Sequence, residues 1–149
     1  MDENDEAMPR ASNREKILSK GLRVMHERGF AGTSVRDVVE AARVPQGSFT
    51  NHFASKEAFS LEVLDLYHTN DSKGLRESLG NDSLAPLERI RAYINYQKKQ
   101  LSRNGPENGC LYGNFTAEAS HHSNMIRQRL GKRRSGMGST AKQYLGSFC

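Results

Sequence analysis

Tryptophan is absent from this 149-residue chain, cysteine occurs only twice and proline only four times. Cys110 and Cys149 form no CxxC pair and hold no metal-ligand spacing to the five histidines, which argues against a zinc site and against a disulfide-stapled scaffold. No stretch reaches the roughly 18 apolar residues that a membrane helix needs, and none of the signal-peptide type opens the chain. The expectation is a cytoplasmic protein with reduced thiols, no metal, no cofactor and no membrane contact. Enzymatic signatures are missing too. His121-His122 has no orienting acid or oxyanion motif near it, so no catalytic residue is assigned and an enzyme is not expected.

The chain is long enough for one compact domain, or for a small domain with a helical appendage. Its net charge is +5, unevenly spread. Residues 1–8 hold Asp2, Glu3, Asp5 and Glu6 and no base, whereas Gly131 to Cys149 holds four bases and no acid. Bases also exceed acids over residues 9–60. A basic stretch over residues 9–60 suits a phosphate backbone, although a modest excess of Lys and Arg is common on ordinary solvated faces.

Helical periodicity dominates the text, and the fold class expected is all-α. Residues 1–12 read as a disordered lead-in. A first helix is expected from an Asn13 cap to about Arg28, with Ile17, Leu18, Gly21, Leu22 and Met25 on one face and Gly29 as its terminator. Ser34, with Asp37 three residues on, predicts a capping box, and Val35, Val38, Val39 and Ala42 form one buried stripe behind it. Pro45 fits only a first helical turn and marks the start of a third helix. Ser55 caps a fourth, running to about Leu79. A fifth is expected from about Ala85 to Ser102, burying Leu87, Ile90, Ile94 and Leu101. A sixth begins near Cys110, with Leu111, Phe115 and Ala119 apolar, and a seventh near Ser123, with Met125, Ile126 and Leu130. Gly131, Gly136, Gly138 and Gly146 make the end a poor helix.

The organising stretch is Ser34 to Phe59. Two short amphipathic helices joined by a tight break at Arg43-Val44-Pro45 have the layout of a helix-turn-helix, whose second helix enters the DNA major groove. Phe49 and Phe53, at i and i+4, are expected inward. Gln46, Ser48, Thr50, Asn51 and His52 remain on other faces, where small hydrogen-bonding groups can read base edges. His52 is as readily a solvated or capping histidine. Gly47 permits close approach of its backbone to another backbone or to DNA. Lys56 opens a helix where a cation opposes the dipole, which an anion nearby would relieve. Tyr93, Tyr96 and Tyr112 either line a cavity between helices or simply pack. Lys132-Arg133-Arg134 either touches DNA or is solvated.

The residues Gly29-Phe30-Ala31-Gly32-Thr33-Ser34-Val35-Arg36-Asp37-Val38, Val44-Pro45-Gln46-Gly47-Ser48-Phe49, His52-Phe53 and Ser55-Lys56-Glu57-Ala58 together resemble the DNA-binding domain of TetR/AcrR-family repressors over about residues 13–67. The resemblance implies that Arg36 touches DNA, that Gln46, Gly47 and Ser48 meet bases or backbone, and that Lys56 holds a phosphate. Many relatives carry an aromatic residue where this chain has Thr50, and often another at Asn51, so smaller polar groups here replace the usual aromatic phosphate contact. The stretch Asn108-Gly109-Cys110-Leu111-Tyr112-Gly113-Asn114-Phe115-Thr116-Ala117-Glu118 is similar to the start of the sixth helix in a subset of the family, some members of which sense electrophiles or oxidants through the cysteine after the glycine. A thiol in a first helical turn gains thiolate stabilisation from the dipole. The alternative for Cys110 is a small buried residue lining a pocket.

By that resemblance the chain is organised as a lead-in (1–12), a three-helix DNA-binding domain (13–60), a partial regulatory body for ligand binding and dimerisation (61–130) and an atypical Gly-rich basic segment (131–149). Members of the family continue further with two helices that form the dimer interface, so a C-terminal truncation is expected. The implied function is a repressor that binds double-stranded, palindromic operator DNA as a homodimer and is released by an unknown small-molecule inducer or an electrophile. The alternative is a truncated interaction protein that pairs with a full-length relative or lacks DNA binding of its own.

Overall fold

The computed structural model describes residues 11–118 and 123–132. Expectations that rest on His121-His122, Ala119, Arg133-Arg134, Cys149 and the rest of the C-terminal segment lie outside these residues. Helices α1 (Asn13–Arg28), α2 (Val35–Ala42), α3 (Gly47–His52), α4 (Lys56–Ser78), α5 (Pro86–Asn104) and α6 (Leu111–Ala117) follow in order, with a 3₁₀ turn at Pro106–Asn108 before α6. Residues 124–132 are helical as well, and Ser123 Oγ accepts the Ile126 N–H at 3.3 Å to cap them. Among the described residues there is no strand.

Local chemistry starts most of these helices. Ser34 Oγ accepts the Asp37 N–H at 3.1 Å and Asp37 Oδ2 accepts the Ser34 N–H at 2.8 Å, the reciprocal capping box expected at α2. Ser55 Oγ accepts the Ala58 N–H at 3.0 Å to start α4. The α1 cap is Ser12 rather than Asn13, because Glu15 lies three residues after Ser12 and closes a box with it at 2.8 Å. Pro45 does not open α3; Ser48 N–H donates to its carbonyl at 2.9 Å in a preceding turn, and the helix begins at Gly47. Arg43 ends α2 in the left-handed region (φ 54), a conformation that usually falls to glycine.

One apolar cluster runs from Ile17 through Val38, Phe49, Phe59, Val63 and Leu64 to Leu111, Phe115, Ile126 and Leu130. Helices α2 and α3 pack on α1, and α1 packs on α4 and α6. At the centre Gly21 of α1 lies against the Phe59 ring and Val38, where a Cβ would overlap the ring. Arg28 of α1 pairs with Asp37 of α2 at 3.0 Å, and Arg14 pairs with Glu62 of α4. The seating of α1–α3 on one another is thus a consequence of packing more than of helix propensity.

Helix α5 departs from expectation. None of its residues is fully buried: Leu87 is 79% exposed, Ile94 53%, Leu101 45% and Ile90 39%. The apolar stripe exists, but no described element lies over it. What fixes α5 to α4 is polar and aromatic: Tyr96 lies against Gly74, its hydroxyl donates to the Asn70 carbonyl at 2.9 Å, and Gln97 donates to Asp71 at 3.3 Å.

Candidate nucleic-acid interface and its link to helix α6

Helix α3 has six residues, too few to be stable alone. Phe49 and Phe53 hold it, both buried, with ring centroids 5.3 Å apart and each packed on Phe59 at 5.2 and 4.9 Å. Burial of two such rings contributes about 2–3 kcal/mol each, ample to seat a short helix. Their inward direction leaves Gln46, Gly47, Thr50, Asn51 and His52 exposed and Ser48 half-buried. Thr50, exposed, donates its Oγ1 hydroxyl to the Gly47 carbonyl at 3.0 Å. A Cβ on Gly47 would meet nothing within 4 Å among the described residues.

Arg36 is exposed on the first turn of α2 and donates to Glu40 at 2.8 Å; this bond raises its pKa above the usual arginine value. Asp37 beside it is held below the usual carboxylate range, first by the Ser34 hydroxyl, then by the Ser34 N–H and by Arg28. Lys56 differs from the other positions. Its ammonium lies 4.3 Å from the centroid of the Phe30 ring, half-buried, in a cation–π contact. Burial lowers its pKa, and the carboxylates of Glu118 and Asp37 oppose that shift.

Cys110 is exposed at the N-cap of α6 and is not a buried pocket residue. Three aromatic rings gather beside it. Tyr67 packs edge-on to His26 and to Tyr112, each at 5.6 Å, and its hydroxyl donates to Cys110 Sγ at 3.8 Å. His26 Nε2 donates to the Gly109 carbonyl at 2.7 Å, and Tyr112 donates to the Leu64 carbonyl at 2.9 Å. A cavity of about 220 Å³ opens behind this cluster between α1, α4 and α5; Tyr96, Tyr67, His26, Gln97 and Arg103 line it, whereas Tyr93 and Tyr112 do not.

At the other end of α6, Glu118 reaches the loop between α1 and α2, where Phe30 and Ala31 donate their N–H groups to it. Neither this contact nor the stacking of Lys56 on Phe30 is visible in the sequence. Positions 87 and 88 residues apart carry no local signal of pairing.

Three helices, the second and third joined by a turn in left-handed geometry and the third presenting a small polar face, define a helix-turn-helix protein. Residues 17–63 match the family model for bacterial regulatory proteins of the tetR family. The chain is 37% identical over 123 residues to the HTH-type transcriptional repressor DhaR of Mycobacterium sp. (strain GP1), an alignment covering 83% of this chain and 60% of that repressor. It superposes on the crystal structure of the reduced form of Escherichia coli NemR with a TM-score of 0.76 at 32% identity, covering 91% of this chain and 70% of that one. The regulatory protein TetR from Rhodobacter sphaeroides gives a TM-score of 0.84 at 28% identity, covering 91% and 71%. The chain belongs to the TetR family. It spans about three-fifths of the length of DhaR.

Proposed function

We propose that this chain is a cytoplasmic transcriptional repressor that binds a palindromic double-stranded operator through the major groove as a homodimer. The observation that carries the reading is the inward anchoring of Phe49 and Phe53, which leaves Gln46, Gly47, Thr50, Asn51 and His52 exposed on the outer face of α3. Gln46, Gly47, Ser48, Thr50, Asn51 and His52 then meet bases and adjacent backbone, Arg36 approaches from the first turn of α2, and Lys56 meets a phosphate from the start of α4. Arg36 exchanges Glu40 for DNA at little cost, because exposed i,i+4 pairs are worth only a few tenths of a kcal/mol.

The release signal is a small molecule or an electrophile, with Cys110 as the reacting group. Its exposure, its place at the start of α6 and the hydroxyl of Tyr67 directed at its sulfur support that role. Footprinting on the DNA flanking the protein's own gene tests the repressor reading. Protection of a palindromic site is the expected result; no protection at low salt, where phosphate contacts are strongest, overturns it.

The bare stripe of Leu87, Ile94 and Leu101 on α5 favours a second reading, in which the chain pairs with a longer relative instead of binding DNA by itself. Sedimentation separates the two, since a stable homodimer argues against this reading.

A further inference from the structure

Glu118 follows the last turn of α6, and its side chain leaves that helix altogether. Its Oε2 accepts the Phe30 N–H at 3.0 Å and the Ala31 N–H at 3.2 Å, two successive amides of the α1–α2 loop converging on one carboxylate. Gly29, immediately before, has φ +73, and a Cβ there would collide with the other carboxylate oxygen. Glycine therefore satisfies the backbone and leaves room for the anion. Phe30 is consequently held twice from α6: its backbone by Glu118, and its ring by Phe115, edge-on at a centroid distance of 6.1 Å. The Phe30 ring in turn carries the Lys56 ammonium at 4.3 Å.

We infer that Glu118 is a positioning residue for operator binding, which acts through Phe30 to fix where the Lys56 ammonium meets a phosphate. The inference rests on the repressor reading for the phosphate, while the pin on the loop amides stands without it. A freely rotating lysine on an exposed first turn samples many positions, and each phosphate contact then carries the entropy of ordering that side chain. Lys56 on a ring that is itself fixed from α6 is ordered before DNA arrives. Glu118 also lies close enough to favour the charged form of Lys56, which burial disfavours.

The full chain and the operator fragment located by footprinting provide the test, with affinity followed as a function of salt. Glu118→Ala is expected to weaken binding about tenfold near 0.1 M salt and to make the slope of log affinity against log salt shallower by about 0.9 per reading head, the signature of one lost phosphate contact. Lys56→Ala should give the same change in slope, and the double variant no more than either single one. Glu118→Gln keeps an oxygen able to accept both amides and should retain the wild-type slope. A defect that only lowered the folded fraction would reduce affinity and leave the slope alone. An unchanged slope in Glu118→Ala, or a slope reduced as much in Glu118→Gln as in Glu118→Ala, overturns the inference. Exchange of the Phe30 and Ala31 amides in free protein separates this from failure of the repressor reading. Faster exchange in Glu118→Ala than in wild type supports the pin, and equal exchange overturns it, whereas wild-type protein that binds no DNA overturns the repressor reading.

Discussion

Tyr67 and Cys110, 43 residues apart, meet where α4 faces the start of α6, the Tyr67 hydroxyl donating to Cys110 Sγ at 3.8 Å. Burial, with Cys110 adding to it, raises the Tyr67 pKa above the ordinary tyrosine value, so the hydroxyl keeps its proton and remains a donor. Tyr67→Phe removes that donor and should change the rate of alkylation of Cys110 by a haloacetamide by up to ~10-fold, the rate equivalent of a hydrogen bond worth about 0.5–1.5 kcal/mol. An unchanged alkylation rate would separate the tyrosine from the chemistry of the thiol.

The sensor role itself is read from operator release. An electrophile should weaken operator binding by wild-type protein and leave the Cys110→Ser variant bound. A response of equal size in that variant would refute the role.

The fit of Gly21 against Phe59 makes α1 intolerant of added volume. Gly21→Ala gains helix propensity of about 1 kcal/mol. It also places a methyl group where the Phe59 ring lies, beside Val38. Overpacking costs typically 1–3 kcal/mol, so the net effect expected is a loss of stability, read as a lower melting temperature. A melting temperature at or above that of wild type would show that the ring moves aside freely.

The α2 capping box gives a pH dependence of known sign. Asp37 titrates below its ordinary value because Ser34, first, and then Arg28 favour its charged form. A depressed folded-state pKa stabilises the fold fully above the unfolded value of about 4, and that stabilisation is lost as the pH falls through the lower folded value. Asp37→Asn should flatten the corresponding part of the acid limb in denaturation experiments run from pH 7 downward. Ser34→Ala should cost ~1 kcal/mol at neutral pH, where the cap is intact.

The apolar residues of α5 and those of the core should respond differently to truncation. Ile94→Gln is expected to change stability by less than ~0.5 kcal/mol in dilute protein, while Ile126→Ala, at a fully buried position, costs ~2–5 kcal/mol. Chemical denaturation at several concentrations checks both. A penalty for Ile94→Gln that grows with protein concentration would assign the stripe to an interface between copies.

The features legible in the sequence are those decided within a few residues. The Ser34–Asp37 box, the Ser55 cap and the i, i+4 spacing of Phe49 and Phe53 each pair groups that the chain brings together as soon as the helix forms. Even there, neighbouring candidates competed: Ser12 displaced Asn13 as a cap because only Ser12 has an acid at the right offset. The α5 stripe was misread for a different reason. Periodicity shows that Leu87, Ile94 and Leu101 share a face, but not whether anything lies against it.

The sequence by itself determined the all-α class, the order of the helices and the polar outer face of α3, because turn chemistry and helical period act over four residues or fewer. Only the tertiary structure decided that Cys110 is exposed beside Tyr67, that α5 keeps an uncovered apolar face, and that Glu118 reaches back to hold Phe30 beneath Lys56. Those relations depend on how whole helices pack, and a carboxylate that meets two amides more than eighty residues away leaves no mark in the local pattern of either segment.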